Sequence, residues 1–351
     1  NASTAGTSGM TSSLHFGIFD QLENDGKTDI ASQYRSHLEL ARLADEGGFS
    51  HWFKSEHHNV PLDIAPSINV FLSAVTQVTQ RIRIASLVHL LPFYEPLRLY
   101  EELCMLDQLS HGRLDIGFGK GVSPPEQLLW GVPADEAVAR TNEALTFVLA
   151  AMELVTSEGL GCLFSFDGEF WSASDHPLEI GPFQTPHPPL WRPGNPITAA
   201  EMGVSTIIPG PIATLPEKIA AFHAGQTSEG AGGYAPVVST LRRVVIAPTT
   251  KEAKKVAERA WGHFDSNLTK LFRKYDLWPP TMVPSFLGDV EMALTTESLI
   301  AGSPAQVAEY FSRLEAESNL EHVTICPAFG NVSAQEAQST LAAFVENVIA
   351  V

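Results

Sequence analysis

Short runs of β-branched and aromatic residues alternate along the chain with longer stretches whose apolar positions recur every three or four residues. A repeating rhythm of this kind predicts a parallel sheet with helices packed against it. The strand candidates are Leu14–Phe19, Ser50–Lys54, Arg81–Val88, Arg113–Phe118, Pro189–Arg192, Val204–Ile208, Arg243–Ala247 and Val323–Cys326. Eight parallel strands close a (β/α)8 TIM barrel, and 351 residues is an ordinary length for one such α/β domain.

The helices follow from the same periodicity. Residues 32–46 are the cleanest case: Ser32 is a candidate cap, Leu38, Ala41 and Ala44 share a stripe, and Gly47-Gly48 ends the run. Others are predicted over 65–79, 97–109, 134–156, 196–202, 216–227, 251–275 and 304–317, with an extra C-terminal helix near 334–349 packed outside the barrel. Two stretches exceed a minimal barrel. Within 161–189, Leu163 to Phe166, the turn Asp167-Gly168 and Glu169-Phe170-Trp171 read as a hairpin. The loop 278–296 is rich in Pro, Gly and bulky apolar residues. An insertion after a barrel strand lies at the active face, where it serves either as a lid or as a simple connection. Residues 1–9 are small and polar ahead of Met10 and look like an expression-tag remnant; residues 10–351 read as a single domain.

Composition narrows the function. Hydrophobic residues make up 44% and charged residues 18%, a globular balance. A net charge of −18 with 22 Lys and Arg argues against a nucleic-acid surface. In so acidic a chain, each basic residue near a candidate site gains weight, Lys120 and Arg192 above all. Cys104, Cys162 and Cys326 show neither Cys-x-x-Cys nor Cys/His spacing, so no disulfide framework or zinc site is expected, and a reducing cytoplasm fits. No apolar run reaches the ~18 residues of a membrane span, and no basic-then-apolar leader is seen.

Three clusters carry candidate chemistry. Ser55-Glu56-His57-His58 follows the second strand and so lies at the barrel's C-terminal mouth. Neighbouring histidines without a third ligand are a poor metal site. They are either ligand-facing proton carriers or side chains that satisfy buried hydrogen bonds. Gly117-Phe118-Gly119-Lys120-Gly121 leaves the fourth strand without dinucleotide-binding spacing. Its glycines allow a flat ligand to approach the backbone, with Lys120 either a phosphate partner or a solvated surface lysine. Leu190-Trp191-Arg192-Pro193-Gly194-Asn195-Pro196 passes from a strand through a Gly-Asn turn into a helix opened by proline. Free N–H groups there suit an anion, with Arg192 either reinforcing them or serving the strand end alone.

Taken together, Glu56-His57-His58, Leu91-Pro92, Glu95-Pro96-Leu97-Arg98, Leu106-Asp107-Gln108-Leu109-Ser110-His111-Gly112-Arg113 and Gly117 to Gly121 resemble, in order and spacing, the bacterial luciferase-like monooxygenase family. The segment 189–203 resembles that family's phosphate-holding turn, and Ala301-Gly302-Ser303-Pro304 its approach to the last barrel helix. The resemblance implies a barrel that binds reduced FMN, supplied by a separate flavin reductase, and uses it with oxygen on a small organic substrate. It places His57 as the group that donates a hydrogen bond to the activated oxygen and moves its proton, with Glu56 and His58 beside it. It puts Leu87-Val88 under the flavin ring at a non-prolyl cis peptide. It assigns Gly119, Lys120, Arg192, Gly194 and Asn195 to the cofactor, and implies a homodimer packed through early helices. Lys120 and Gly119 stand where luciferase itself has arginine and cysteine, which weakens a bidentate phosphate contact and the light-emitting reaction in particular. Phe19, Trp52, Leu90 and Phe93 are candidates for an apolar substrate pocket, suiting an aldehyde, ketone or hydrocarbon, or else simple core. The alternatives are a deazaflavin-dependent dehydrogenase on the same barrel and a non-catalytic flavin-binding protein.

Overall fold

A computed structural model describes residues 14–226, 230–280 and 288–350. The suspected tag remnant and the middle of the 278–296 loop lie outside the described residues. Eight parallel strands form where the apolar runs predict them: β1 (His15–Asp20), β2 (His51–Lys54), β3 (Arg83–Ser86), β4 (Leu114–Gly119), β5 (Leu190–Trp191), β6 (Thr206–Ile208), β7 (Val238–Ile246) and β8 (His322–Cys326). Pairing runs β8-β1-β2-β3-β4-β5, and β7 joins β6 to β8. A parallel bridge between Trp191 and Ser205 links β5 to the start of β6 and closes the ring.

Two short strands were not anticipated: His89–Leu90, which pairs in parallel with Phe118 and Gly119, and Leu299–Gly302. Leu299–Gly302 pairs with the later half of β7, from Arg243 to Ile246, beyond the point where β6 has ended. Its four residues are too few to show a period, which is why the pattern hid it.

The helices are α1 (Ile30–Glu46), α2 (Ile68–Val78), α3 (Pro96–Ser110), α4 (Ala137–Glu158), α5 (Pro196–Glu201), α6 (Leu215–Gly225), α7 (Pro304–Ser318) and α8 (Ala334–Phe344). Asp29 caps α1 by accepting from the Ser32 N–H, so the expected cap residue is the one being capped. The C-terminal helix α8 is present, packs against α1, α7 and β7, and completes the helical ring. Three helices are in surplus among the described residues, the short Pro124–Leu129 and Val290–Thr295 and the long Thr250–Tyr275, which is opened by a Thr249/Glu252 capping box and lies in the β7–α7 insertion on the mouth side. The hairpin forms from Leu163–Asp167 and Ser172–Pro177, with a wider turn than Asp-Gly predicts. The Glu143 carboxylate on α4 accepts from the backbone N–H groups of Glu169, Phe170 and Trp171, which holds those residues out of the strand.

Strand alternation divides the core. Phe16, Ile18, Trp52, Ile84 and Ile116 face the helices; Phe19, Phe53, Ala85, Trp191 and Val245 fill the barrel. The floor of the barrel is polar: Asp115 accepts from Arg83 Nε at 2.6 Å and Trp191 Nε1 at 2.8 Å and faces His51 Nε2 at 3.3 Å. A closed floor leaves ligand access to the C-terminal mouth. No helix among the described residues is long and apolar enough to cross a membrane.

Candidate active site at the barrel mouth

Because all eight strands are parallel, the segments that leave them converge on one rim. The run after β2 brings Glu56 and His57, the end of β3 brings Leu87, Val88 and Leu90, β4 delivers Phe118, Gly119 and Lys120, and β5 delivers Arg192. These side chains wall one cavity of about 360 Å³, within the range of small-molecule sites. Its bed is set by close backbone contacts. Ser86 Oγ hydrogen-bonds both the N–H and the carbonyl of Gly117 at 2.8 Å, and a Cβ on Gly117 would sit 2.0 Å from the Ser86 carbonyl oxygen. The Leu87–Val88 peptide is cis. A Cβ on Gly119 would come within 3.0 Å of Val88.

His57 is 18% exposed, and its Nδ1 lies 3.3 Å from Glu126 Oε2. The other Glu126 oxygen accepts from the His58 backbone N–H, so the carboxylate grips both residues. Burial works against a charged His57, but the hydrogen bond and charge of Glu126, aided by Asp63 and opposed by Lys54, outweigh it and raise the imidazole pKa. Burial likewise opposes the Glu126 carboxylate, and its His57 partner overcomes that and lowers it. The two directions agree: the pair favours imidazolium beside carboxylate, with Nδ1–H donated and Nε2 left for the cavity.

Glu56 is different. Burial raises its pKa, against the hydrogen bond from His58. Its oxygens meet His58 Nε2 at 2.8 Å, Tyr94 Oη at 2.8 Å and the Leu90 N–H at 3.3 Å. Glu56 therefore organises the loop around the cavity. His58 turns from the cavity toward Trp130, with ring centres 4.6 Å apart. Lys120 is exposed and Arg192 half-buried, and neither side chain has a hydrogen-bond or ion-pair partner among the described residues.

Other expected residues fall elsewhere. Asn195 spends its Oδ1 on the N–H groups of Ile197 and Thr198, at 2.9 and 3.4 Å, so the α5 start is capped by its own side chain. Gly194 is exposed, and neither it nor Asn195 lines the cavity. Leu90 does line it; Phe93 instead stacks on Trp130 at 5.4 Å. Phe19 is buried inside the barrel, and Trp52 faces the helical layer, with Phe53 taking the inward position. The Ser110 to Arg113 motif lies at the opposite end of β4. His111 and Gly112 turn there with positive φ, and the Arg113 guanidinium reaches the carbonyls of Ser110 and Ile82 at 2.9 Å. Glu126 was missed. Ser123 through Glu126 carries a helix-start signature, and Ser123 does cap the Glu126 N–H, but nothing local tells that the carboxylate turns toward His57.

The fold and site together define a parallel α/β barrel with a small-molecule cavity at the rim where barrel enzymes keep their chemistry, walled by a carboxylate-backed imidazole and by two cations without partners among the described residues. The chain belongs to the luciferase-like monooxygenase family, whose pattern it matches over residues 14–318. It is 33% identical to the uncharacterized protein y4wF of Sinorhizobium fredii, over 92% of this chain and 93% of the relative. To 2,5-diketocamphane 1,2-monooxygenase 1 of Pseudomonas putida it is 24% identical over 82% of this chain and 85% of that one. In fold it is similar to the oxygenating constituent of 3,6-diketocamphane monooxygenase of Pseudomonas putida, solved with FMN. That likeness has a TM-score of 0.75 and 18% identity over 95% of this chain and 98% of the other. As a family member this chain is an enzyme, a flavin-dependent monooxygenase of the oxidoreductase class.

Proposed function

We propose that the chain is the oxygenase component of a two-component FMN-dependent monooxygenase acting on a small apolar aldehyde, ketone or hydrocarbon. The observation that carries this reading is the meeting, on one cavity, of a carboxylate-backed imidazole and two unpaired cations, Lys120 and Arg192. The residues present fit FMN. Leu87, Val88 and Phe118 offer apolar surface to a flat ring, Gly119 admits close approach, and the cations suit a phosphate. Reduced FMN, when bound, supplies the activation of dioxygen.

The chain's own side chains supply the rest. Lys120 and Arg192 hold the phosphate. Leu87, Val88 and Leu90 keep water from the reacting face. His57, with Nδ1–H committed to Glu126, presents Nε2 as hydrogen-bond donor and proton carrier. A homodimer through α2 and α3 is part of the same proposal, supported by exposed Val70, Met105 and Leu109. So is a cytoplasmic location, supported by three free cysteines.

The test has two arms. Equilibrium titration should show FMN bound more tightly than riboflavin, with Arg192→Ala removing most of the difference. Turnover with a reductase, NADH and oxygen should oxygenate a ketone or aldehyde panel. Equal affinity for FMN and riboflavin, or tight deazaflavin binding with no oxygen-dependent product, would defeat the proposal.

A further inference from the structure

A second cavity, of about 210 Å³, lies between the loops that follow β1 and β8 and the early turns of α1 and α8. It shares no lining residue with the mouth cavity that His57 and Arg192 wall. Part of its wall is apolar, formed by Leu40, Phe329, Val332 and Ala337. The rest is polar and acidic: Gln21, Glu23, Asp25 and His37 line it, and among the described residues no lysine or arginine does. At this size it admits only a small ligand.

Its polar groups keep hydrogen-bonding capacity that the protein does not use. Gln21 is 5% exposed; its Oε1 accepts from Arg243 Nη2 at 3.1 Å, and its Nε2 has no partner among the described residues. His37 gives its Nδ1–H to Asp20 Oδ1 at 2.5 Å, which leaves Nε2 of the neutral ring an acceptor without a partner among the described residues. Each Glu23 oxygen accepts one bond, from the Gly330 N–H at 2.8 Å and from Asn267 Nδ2 at 2.9 Å, where a carboxylate oxygen can take two. Burial, against those bonds and the charges of Arg243 on β7 and His263 on the insertion helix, holds this carboxyl up at about 7. The starts of α1 and α8 would attract an anion, but acidic Asp29 caps the first and a Ser333/Glu336 capping box closes the second. No three metal-ligating side chains converge among the described residues, so the acceptors suit an organic cation rather than a metal ion.

We propose that this cavity is a second binding site, separate from the flavin cavity, for a small aliphatic ammonium ion that also carries a hydroxyl or carbonyl oxygen. The ammonium donates to the Glu23 carboxylate, with Asp25 and His37 Nε2 as further acceptors. The ligand oxygen accepts from Gln21 Nε2, and the carbon chain lies along Leu40, Phe329, Val332 and Ala337. A cation is favoured because the lining carries carboxylates and no positive side chain, in a chain of net charge −18. Charge-assisted hydrogen bonds are about twice as strong as neutral ones, so the charged nitrogen dominates the affinity. An ammonium beside Glu23 favours its ionised form, so binding near pH 7 drives a proton out.

Calorimetry of the full chain with four probes of similar length tests this: 3-aminopropan-1-ol, butylamine, 1,3-propanediol and 3-hydroxypropanoate. The amino alcohol is expected to bind about tenfold or more tightly than the diol or the acid, and more tightly than butylamine. Titration at pH 7 in two buffers of different ionisation heat should show about half a proton released per amino alcohol bound, because Glu23 is near half-protonated there. Glu23→Gln should abolish that release and bring the preference over the diol down to about twofold or less. Ala334→Phe, at an exposed position of the lining, should block the amino alcohol by filling the space while leaving Glu23 in place. Both variants should keep the wild-type FMN affinity and circular dichroism. No measurable binding of the amino alcohol by the wild type, which a cavity filled only by water gives, would overturn the proposal. So would a diol or butylamine that binds as tightly, or a preference that survives in both variants. A wild type that binds the amino alcohol but not FMN loses the flavin reading alone.

Discussion

Glu126→Gln isolates the charge that holds His57 protonated while keeping an acceptor for the His58 N–H. At the observed 3.3 Å, Coulomb's law gives about 1.3 kcal/mol of attraction in water and about 5 kcal/mol at an effective dielectric of 20. His57 is 18% exposed, so the lower half of that range applies, about 1.5 to 3 kcal/mol. Each 1.4 kcal/mol is a factor of ten, so the substitution should cut the ratio of imidazolium to neutral imidazole by about 10- to 100-fold at fixed pH. The sign follows from the raised folded pKa. In the wild type the charged pair adds stability at pH values below the unfolded histidine pKa, and that contribution is lost as pH rises through the folded pKa. In the variant that window closes. Histidine NMR titration of the two proteins, with His57→Gln to assign the resonance, reads this without any turnover. The pH profile of turnover should lose its protonated-His57 limb in parallel. An unchanged His57 midpoint in the Gln variant would refute the claim that Glu126 governs its proton.

Two further outcomes follow from the packing. Gly117→Ala should lower stability by about 1–3 kcal/mol in urea unfolding, since its Cβ meets a backbone oxygen at 2.0 Å. Gly262→Ala, in an open position of the insertion helix, should raise it by about 0.5–1 kcal/mol; a loss at both positions would point to a general intolerance. His89 is buried, with Nε2 2.7 Å from Asn69 Oδ1, and burial holds its pKa down at about 4. The unfolded chain takes up this proton first as pH falls below ~6.5, so stability is lost between there and the folded pKa, by about 2 kcal/mol from pH 7 to pH 5. His89→Gln should flatten the pH dependence by that amount; an unchanged slope would show that other groups set the acid sensitivity.

Much of the architecture was legible before any coordinate. Apolar runs such as Leu14–Phe19 and Val323–Cys326 marked strands, and the stripe of Leu38, Ala41 and Ala44 marked a helix, because period and turn residues act over a few neighbouring positions. Placing His57, Lys120 and Arg192 at one rim followed from parallel strands alone, since each lies at or just past the end of one; Leu87 was placed there only by the family resemblance. The motif from Ser110 to Arg113 was also legible, but its work is to close the base of β4, away from the cavity.

Tertiary structure decided the rest, and each case has a physical cause. In His51-Trp52-Phe53-Lys54 both faces of the strand are covered, so alternation cannot say which aromatic points into the barrel; packing chose Phe53. The α5 N–H groups, expected for an anion, went to Asn195 because a side chain already on the spot needs no ligand. Glu126 reads locally as a helix-start residue and becomes the partner of His57 only when β2 and the segment after β4 meet at the rim. The stacking of the Arg243 guanidinium on Phe264, 4.0 Å from the ring centre, likewise exists only once β7 and the insertion helix share a wall. Short-range patterning along the chain is enough to set the elements and their order. Which charges face one another depends on residues far apart in sequence, and folding alone brings them together.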